Sequence, residues 1–175
     1  MTRPELAAAI KAAAYLEGNF VLSSGRRSRY YLDKYLFSTD PVLLKEIALH
    51  LKSLLPDKKI DRLAGVELGA VPLAASLSME TDIPYVIVRK QAKDYGTANL
   101  CEGIIEAGQS VVLIEDVLTT AGQAIDAAER LTDFGVSVEK VIYVIDRLEG
   151  AADNLANAGY DAQALITTKD MGIGV

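Results

Sequence analysis

The sequence predicts a single α/β domain, residues 1–175, built on a mostly parallel sheet that is flanked by helices. Its length is close to that of one domain, and 50% of its residues are apolar, which is enough for a sizeable core. From about residue 60 onwards, apolar runs of strand length alternate with helical patterns, as in sheets covered on both faces. Neither a repeat nor a linker divides the chain, so we expect one domain.

The N-terminal region, about residues 1–37, predicts a small hood over one edge of the sheet. Thr2 and Glu5 form the capping-box pattern that begins a helix. Apolar residues at helical spacing continue this helix until Gly18. The segments expected to be extended beyond this helix, on either side of a turn, are 20–22 and 30–32.

The remaining elements follow from apolar periodicity and from the glycines and prolines between them. Asp40 and Pro41 open a helix whose apolar face extends to Leu55. The elements expected after it are strand 63–66, helix 72–80, strand 85–89, a polar loop from 90 to about 101, a short piece at 103–105, strand 111–115, helix 122–134, strand 138–145, helix 151–158 and strand 162–166.

Composition argues against several classes of protein. The net charge of −6 argues against broad nucleic-acid binding, which usually shows as a basic surface. No stretch approaches the ~20 uncharged apolar residues of a membrane helix, and the N-terminus lacks the apolar core of a signal peptide. Cys101 is the only cysteine, so no disulfide or cysteine-based zinc site can form within one chain. We therefore expect a cytoplasmic protein that binds neither nucleic acid nor a membrane.

The strongest chemical signal lies where the strand 111–115 ends. Glu115 and Asp116 are adjacent acids, and Thr119–Gly122 is a small hydroxylated loop that opens a helix. Successive N–H groups and hydroxyls at a helix N-terminus bind anions. The carboxylates suit two neighbouring sugar hydroxyls or a magnesium shell. An ordinary helix cap would not need both acids and the whole loop, so the pattern predicts a ribose 5-phosphate site.

Two basic clusters and one strand end add to this candidate site. Ligands of open α/β sheets bind beyond the carboxyl ends of the strands, where the segments Arg89–Gly96 and Asp146–Arg147 are expected. A guanidinium at such a strand end can form paired hydrogen bonds with a carboxylate or a planar edge. The basic residues of the two clusters are Arg26, Arg27 and Arg29, and Arg89, Lys90 and Lys93.

Together these segments resemble the phosphoribosyltransferase family. The strand, the two acids and the threonine loop resemble the motif with which that family holds 5-phosphoribosyl 1-diphosphate (PRPP). Phe20–Tyr31 resembles the hood of the orotate-specific members, Arg89–Gly96 their mobile catalytic loop, and Asp146–Arg147 their orotate-binding pair. The resemblance implies a phosphoribosyltransferase-type fold with an N-terminal hood.

The resemblance also implies an activity, a cofactor and an assembly. The enzyme would transfer the 5-phosphoribosyl group from PRPP to orotate, giving orotidine 5′-monophosphate and pyrophosphate in UMP biosynthesis. Mg²⁺ would be carried on PRPP, with most ligands from substrate and water. A homodimer is implied, in which part of the loop completes the neighbour's site. Two alternatives remain at this point, another base phosphoribosyltransferase and a PRPP-sensing regulator of the same fold.

The roles of individual residues follow from the same resemblance. Lys93 and Asp116 would be catalytic. Lys93 would act with the other cations of a closing loop, which meet the charge that gathers on the leaving pyrophosphate. Thr119 and Arg147 would contact orotate. The residues assigned to PRPP are Arg89, Lys90, Lys93, Tyr95, Glu115, Asp116, Val117, Leu118, Thr119, Thr120, Ala121, Gly122 and Gln123.

The chain departs from the family pattern at several positions. Ser23 stands where many orotate enzymes have Lys, and Tyr95 stands where many have His. Gly69 lies in a segment that lacks the Lys of some members, and Ala121 replaces a more usual glycine. These departures affect single contacts. They leave the cations of the segment Arg89–Gly96, called the basic loop below, in place.

Two further segments have less specific interpretations. Gly65–Gly69 resembles the family's pyrophosphate loop, where the backbone approaches the ligand closely and a non-proline cis peptide is frequent. Tyr30 and Tyr31 could stack on a substrate or on neighbouring core residues, and the sequence does not distinguish these roles.

Overall fold

A six-stranded sheet and a separate hairpin organise the computed structural model, which describes residues 1–21, 25, 27–90 and 101–174. The strands are β1 Tyr15–Val21, β2 Arg27–Leu32, β3 Arg62–Val66, β4 Tyr85–Val88, β5 Cys101–Glu102, β6 Ser110–Leu118, β7 Ser137–Asp146 and β8 Ala162–Thr167. The helices are α1 Arg3–Ala14, α2 Lys34–Ser38, α3 Pro41–Lys52, α4 Val71–Thr81, α5 Gly122–Asp133 and α6 Ala151–Asn157.

The main sheet has the order β5-β4-β3-β6-β7-β8, and every neighbouring pair is parallel except β4 with β5. The central strand β6 faces an apolar core on each side of the sheet. Val112 and Ile114 pack in one apolar cluster, and Val111 and Leu113 pack in the other. The first cluster includes residues of α1, α3 and α4, and the second includes residues of α5 and α6. The predicted mostly parallel sheet with helices on both faces is confirmed.

The hood begins as predicted and then differs. The Glu5 carboxylate accepts a 2.7 Å hydrogen bond from the backbone N–H of Thr2, which confirms the capping box. The helix ends at Ala14, so the expectation that it reaches Gly18 is wrong. The residues after Ala14 pair with β2 in an antiparallel hairpin, with Tyr15 opposite Leu32. This cross-strand pairing satisfies the backbone groups of a segment whose apolar spacing alone favours a helix.

Other elements also differ from the sequence prediction. The five-residue helix α2 was not predicted, because so short a helix shows no periodicity; Asp33 caps it by accepting from the Tyr35 N–H at 3.1 Å. β6 continues past the two acids to Leu118, because β7 pairs with it as far as Asp146. The polar loop expected up to about residue 101 ends in the two-residue strand β5, antiparallel to β4, and the short piece expected at 103–105 is not a strand. Over the residues that the structure describes, no helix is both long and apolar enough to cross a membrane.

Phe37 fastens the hood to the main core. Its side chain is 0% exposed and belongs to the same cluster as residues of α1 and α3. Phe37→Ala should therefore lower the free energy of unfolding by about 3–5 kcal/mol, because it leaves a cavity among packed neighbours.

Urea unfolding measures this change, and Phe134→Ala is the matched control. Phe134 is 48% exposed, so its truncation should change the free energy of unfolding by no more than about 0.5 kcal/mol. If both variants lose the same small amount, Phe37 does not hold the hood on the core.

Candidate active site

A cavity of about 700 Å³ opens beyond the carboxyl ends of β3, β6 and β7. Its walls include the two acids of β6, the loop 119–123, Lys90 and Arg147, together with residues of the hood. Parallel strands direct their carboxyl ends to one edge of a sheet, which is why segments far apart in sequence meet here. Of the predicted site residues, the cavity therefore brings together Lys90, Arg147 and the segment 115–123.

The acid pair is buried at the end of β6. The exposed fraction is 7% for Glu115 and 3% for Asp116. Burial, together with the neighbouring Asp116 charge, raises the pKa of Glu115 to about 8. The Lys34 ammonium lies 2.7 Å from Oδ2 of Asp116, and the Val117 N–H donates to Oδ1 at 2.6 Å. The pair thus presents one carboxyl group that keeps its proton at neutral pH and one that is paired with a cation.

The loop after the acids leads into the N-terminus of α5. Ala121 is the N-cap residue and has a φ of 62°, a left-handed conformation that costs a residue with a Cβ about 1–2 kcal/mol. An alanine cap has no side-chain acceptor for the first N–H groups of α5, so these remain available to an anion. A Cβ built on Gly122 meets no atom of the described chain within 4 Å, so the helix start is open. The start of α5 is thus uncapped and open, which is the geometry that an anion site requires.

Arg147 follows β7, and contacts of both its backbone and its guanidinium hold it at the cavity. Its backbone N–H donates to the Leu118 carbonyl at 3.0 Å. Its guanidinium lies 5.3 Å from the centre of the Tyr30 ring and donates to the Tyr30 hydroxyl at 3.3 Å. Nε of Arg147 lies 3.0 Å from a carboxylate oxygen of Glu149. The preceding Asp146 is held too, because Tyr143, a buried side chain, donates to it at 2.9 Å.

The two hood tyrosines take different places. Tyr30 stacks on Tyr15 with ring centres 5.6 Å apart, and its ring and hydroxyl group both contact the Arg147 guanidinium. Tyr31 lines the cavity and is 40% exposed. Tyr30 is therefore a packing residue of the site, and Tyr31 is the ring with access to a ligand.

The turn after β3 brings backbone close to the acid pair. The peptide bond between Glu67 and Leu68 is cis, as the resemblance implied for this segment. The Glu67 carboxylate accepts from the Lys90 N–H at 2.7 Å, which ties the turn to the start of the basic loop. A Cβ on Gly69 would lie 1.6 Å from Oδ2 of Asp116, so only glycine fits at this approach.

The predicted basic residues are only partly gathered. Lys90 lines the cavity, whereas the Arg89 guanidinium lies 3.1 Å from the Glu102 carboxylate and does not contribute to the cavity wall. Lys93 and Tyr95, and also Ser23, lie outside the described residues. Among the residues described, no group of three or more histidine, cysteine or acidic side chains could hold a metal ion.

Sequence reasoning missed Lys34 and Glu149 as cavity residues and left Glu67 without a role. Glu149 follows Arg147 by two positions, a spacing that could have suggested an ion pair. Nothing in the sequence around Lys34 indicates that its side chain reaches an acid 82 positions later, since only the packing of the hood brings the two together.

Glu115 makes stability depend on pH. Its pKa is about 8 in the folded chain, against an ordinary value of 4.5, so between these values the folded state keeps a proton that the unfolded state releases. The free energy of unfolding should therefore fall as pH rises through this window. Glu115→Gln should flatten that fall.

Urea unfolding of both proteins between about pH 5 and pH 9 measures the effect. Glu129→Gln, on the exposed side of α5, is the control and should keep the wild-type pH dependence. A Glu115→Gln variant whose stability changes with pH as steeply as the wild type would show that Glu115 ionises normally.

Comparison with known proteins agrees with this geometry. The family model for the phosphoribosyl transferase domain matches residues 40–159. A curated relative, the orotate phosphoribosyltransferase of Natronomonas pharaonis, is 49% identical over 172 residues, which cover 98% of each chain.

Solved structures give the same result. The orotate phosphoribosyltransferase of Mycobacterium tuberculosis H37Rv, in complex with Fe(III) dicitrate, matches with a TM-score of 0.86 at 31% identity, over 97% of this chain and 98% of that one. Its complex with 5-phospho-alpha-D-ribosyl 1-diphosphate matches with a TM-score of 0.83 at 29% identity, over the same shares of the two chains. The chain therefore belongs to the phosphoribosyl transferase family and, within it, to the orotate phosphoribosyltransferases.

Proposed function

We propose that this chain transfers the 5-phosphoribosyl group from PRPP to orotate, giving orotidine 5′-monophosphate and pyrophosphate in de novo UMP biosynthesis. One observation carries the proposal: a buried acid pair, an uncapped helix N-terminus and a held guanidinium line the same cavity. These groups complement a ribose diol, a phosphate and a carboxylate. Two curated relatives named orotate phosphoribosyltransferase, at 49% and 46% identity, support the same assignment.

The acid pair and the following loop would bind the ribose 5-phosphate half of PRPP. Residues 119–123 offer backbone N–H groups at the start of α5 and the hydroxyls of Thr119 and Thr120 to the phosphate oxygens. Glu115 and Asp116 would hold the two ribose hydroxyls, since a carboxylate accepts and a protonated carboxyl group also donates. The ribose would thereby be fixed at both ends while its C1 reacts.

The basic loop would meet the leaving pyrophosphate. As the bond from C1 to the diphosphate breaks, negative charge gathers on the diphosphate oxygens and nearby cations stabilise it. Lys90 lines the cavity in the described structure, and we expect Lys93 and Tyr95 to approach from the loop beyond it. Arg89 would take part after its guanidinium leaves Glu102.

Mg²⁺ is the proposed cofactor, carried on the diphosphate of PRPP. It would neutralise part of the diphosphate charge. Such neutralisation suits this cavity, because Glu67, Asp116 and Glu149 are among the side chains that a polyanion would approach. The described chain has no dedicated cluster of metal ligands, so oxygens of the substrate and of water would supply most of the coordination.

Arg147 would bind the orotate carboxylate, with Thr119 on the same side of the base. The Tyr30 ring under the guanidinium limits its movement, so less orientational freedom is lost when orotate binds. Glu149 pairs with the guanidinium in the described structure and would share it with the incoming carboxylate. This arrangement favours a base with a carboxylate over uracil, which lacks one.

The test of the proposed function is consumption of orotate in the presence of PRPP and magnesium, with adenine, hypoxanthine and uracil offered as competing bases. The proposed function requires orotidine 5′-monophosphate and pyrophosphate to form in equal amounts. Preferential conversion of a purine would show another base phosphoribosyltransferase. PRPP binding without turnover of any base would show a regulator.

Arg147→Ala should raise the Michaelis constant for orotate strongly and that for PRPP much less. The lost guanidinium pairs with the base carboxylate, so we expect at least about a tenfold rise for orotate, equivalent to about 1.4 kcal/mol. Steady-state kinetics with each substrate varied in turn measures both constants. Arg3→Ala is the control, because Arg3 is an exposed arginine on α1 that pairs with Asp170. Equal rises for both substrates would place Arg147 on the phosphate side or in a structural role.

We also propose a homodimer in which part of the loop 89–96 serves the neighbouring site, acting in the cytoplasm on small molecules rather than on nucleic acid or a membrane. Lys93→Ala and Asp116→Asn should each lower turnover by orders of magnitude. A mixture of the two variants should recover part of the activity, because hybrid dimers contain one site with both residues intact. Assay of the mixed and separate variants measures this, and absence of any recovery would show that the loop serves its own subunit.

A further inference from the structure

Lys34 is held in place by the structure of the hood. It is the first residue of α2, whose N-cap Asp33 accepts from the Tyr35 N–H. The backbone N–H of Asp33 also donates to the Ala14 carbonyl at 2.9 Å, and Phe37 anchors the other end of the helix in the core. The backbone position of Lys34 is thus fixed from both sides, and its side chain extends into the cavity.

The Lys34 ammonium makes the closest charged contact of Asp116 in the described structure. The two groups are 2.7 Å apart, with the Lys34 side chain 30% exposed and the Asp116 side chain 4% exposed. Burial opposes the charged form of Lys34, but Asp116, with smaller contributions from Tyr35 and Glu115, outweighs it, and the pKa of the lysine is raised. The pair is therefore a largely desolvated ion pair, in which loss of one partner leaves a buried charge.

This contact leaves part of Asp116 available to a ligand. A carboxylate has about four lone-pair sites. The Val117 N–H takes one on Oδ1, and Lys34 takes one on Oδ2. The backbone of Gly69 lies against Oδ2. It is so close that a Cβ at this position would overlap that oxygen and would lie 3.1 Å from Cε of Lys34. The carboxylate is thus clamped in one orientation, with acceptor sites left for hydroxyl donors in the cavity.

We propose that Lys34 is a positioning residue of the ribose site, which orients the Asp116 carboxylate so that it accepts a hydroxyl of PRPP. The proposal rests on the proposed function and adds a residue outside the acid-and-threonine motif. It assigns the hood a part in binding PRPP as well as in covering the base. A buried carboxylate needs a compensating positive charge, and Lys34 supplies it to Asp116 within hydrogen-bonding distance.

Lys34→Met keeps an unbranched apolar side chain as far as Cε and removes the ammonium. We expect the dissociation constant for PRPP with magnesium chloride, measured by titration calorimetry, to rise about tenfold or more, since a desolvated charge contact is lost. The Michaelis constant for orotate should change less than about twofold, because Lys34 does not contact Arg147. Lys45→Met, on the exposed side of α3 away from the cavity, should leave both constants unchanged.

A double-mutant cycle tests whether Lys34 acts through Asp116. In the Asp116→Asn background, Lys34→Met should weaken PRPP binding by less than about twofold, because the charge that Lys34 orients is already gone. Full additivity of the two changes would show that Lys34 contacts PRPP by itself and would overturn the positioning role. Thermal unfolding of each variant shows whether the fold is retained.

The outcomes separate this proposal from the proposed function. A wild-type protein that fails to convert orotate contradicts the function, while the calorimetric comparison still tests Lys34. A Lys34→Met variant that binds PRPP as tightly as an active wild type contradicts only the role of Lys34. Equal losses for orotate and PRPP in a folded variant would also overturn it, because a positioning residue of the ribose site acts on PRPP alone.

Discussion

The site depends on two adjacent carboxylates that are buried at the end of a central parallel strand. β6 lies between β3 and β7, and its residues alternate between two apolar cores, so neither acid can turn to solvent without breaking the strand. Buried carboxylates persist only when a proton, a cation or hydrogen bonds compensate their charge. Glu115 is compensated by the proton that its raised pKa retains, and Asp116 is compensated by the Lys34 ammonium. The two acids therefore face the cavity as different groups, although they are neighbours in the chain.

This compensation explains why the hood and the sheet form one unit. The ammonium on Asp116 comes from α2, the turn at Gly69 must lack a side chain to admit the carboxylate, and Phe37 keeps α2 in the core. Moving any of these parts would expose or crowd Asp116. The hood is thus part of the electrostatic balance of the site, in addition to covering it.

The cavity also separates the chemical tasks among different elements. The start of α5 presents uncapped amide groups that suit a phosphate, and the end of β7 carries a guanidinium that Tyr30 and Glu149 hold. Tyr143 supports that strand end from the opposite core through Asp146. Each task uses a group that is oriented before the substrate arrives, which lowers the entropic cost of binding. A transferase with two substrates benefits, because both must be held in fixed relation while C1 changes partners.

The sequence by itself determined the alternation of strands and helices, the acid pair with its threonine loop, and the placing of Arg147 at a strand end. These features are local, since apolar periodicity and adjacent residue types carry them, and parallel strands bring their carboxyl ends to one edge. Only the tertiary structure decided that the first helix stops at Ala14, where pairing with β2 takes over. It also decided the contact of Lys34 with Asp116 and the turn of Arg89 towards Glu102. Such contacts join residues that no spacing relates, because the packing of separate elements sets the distance between their side chains.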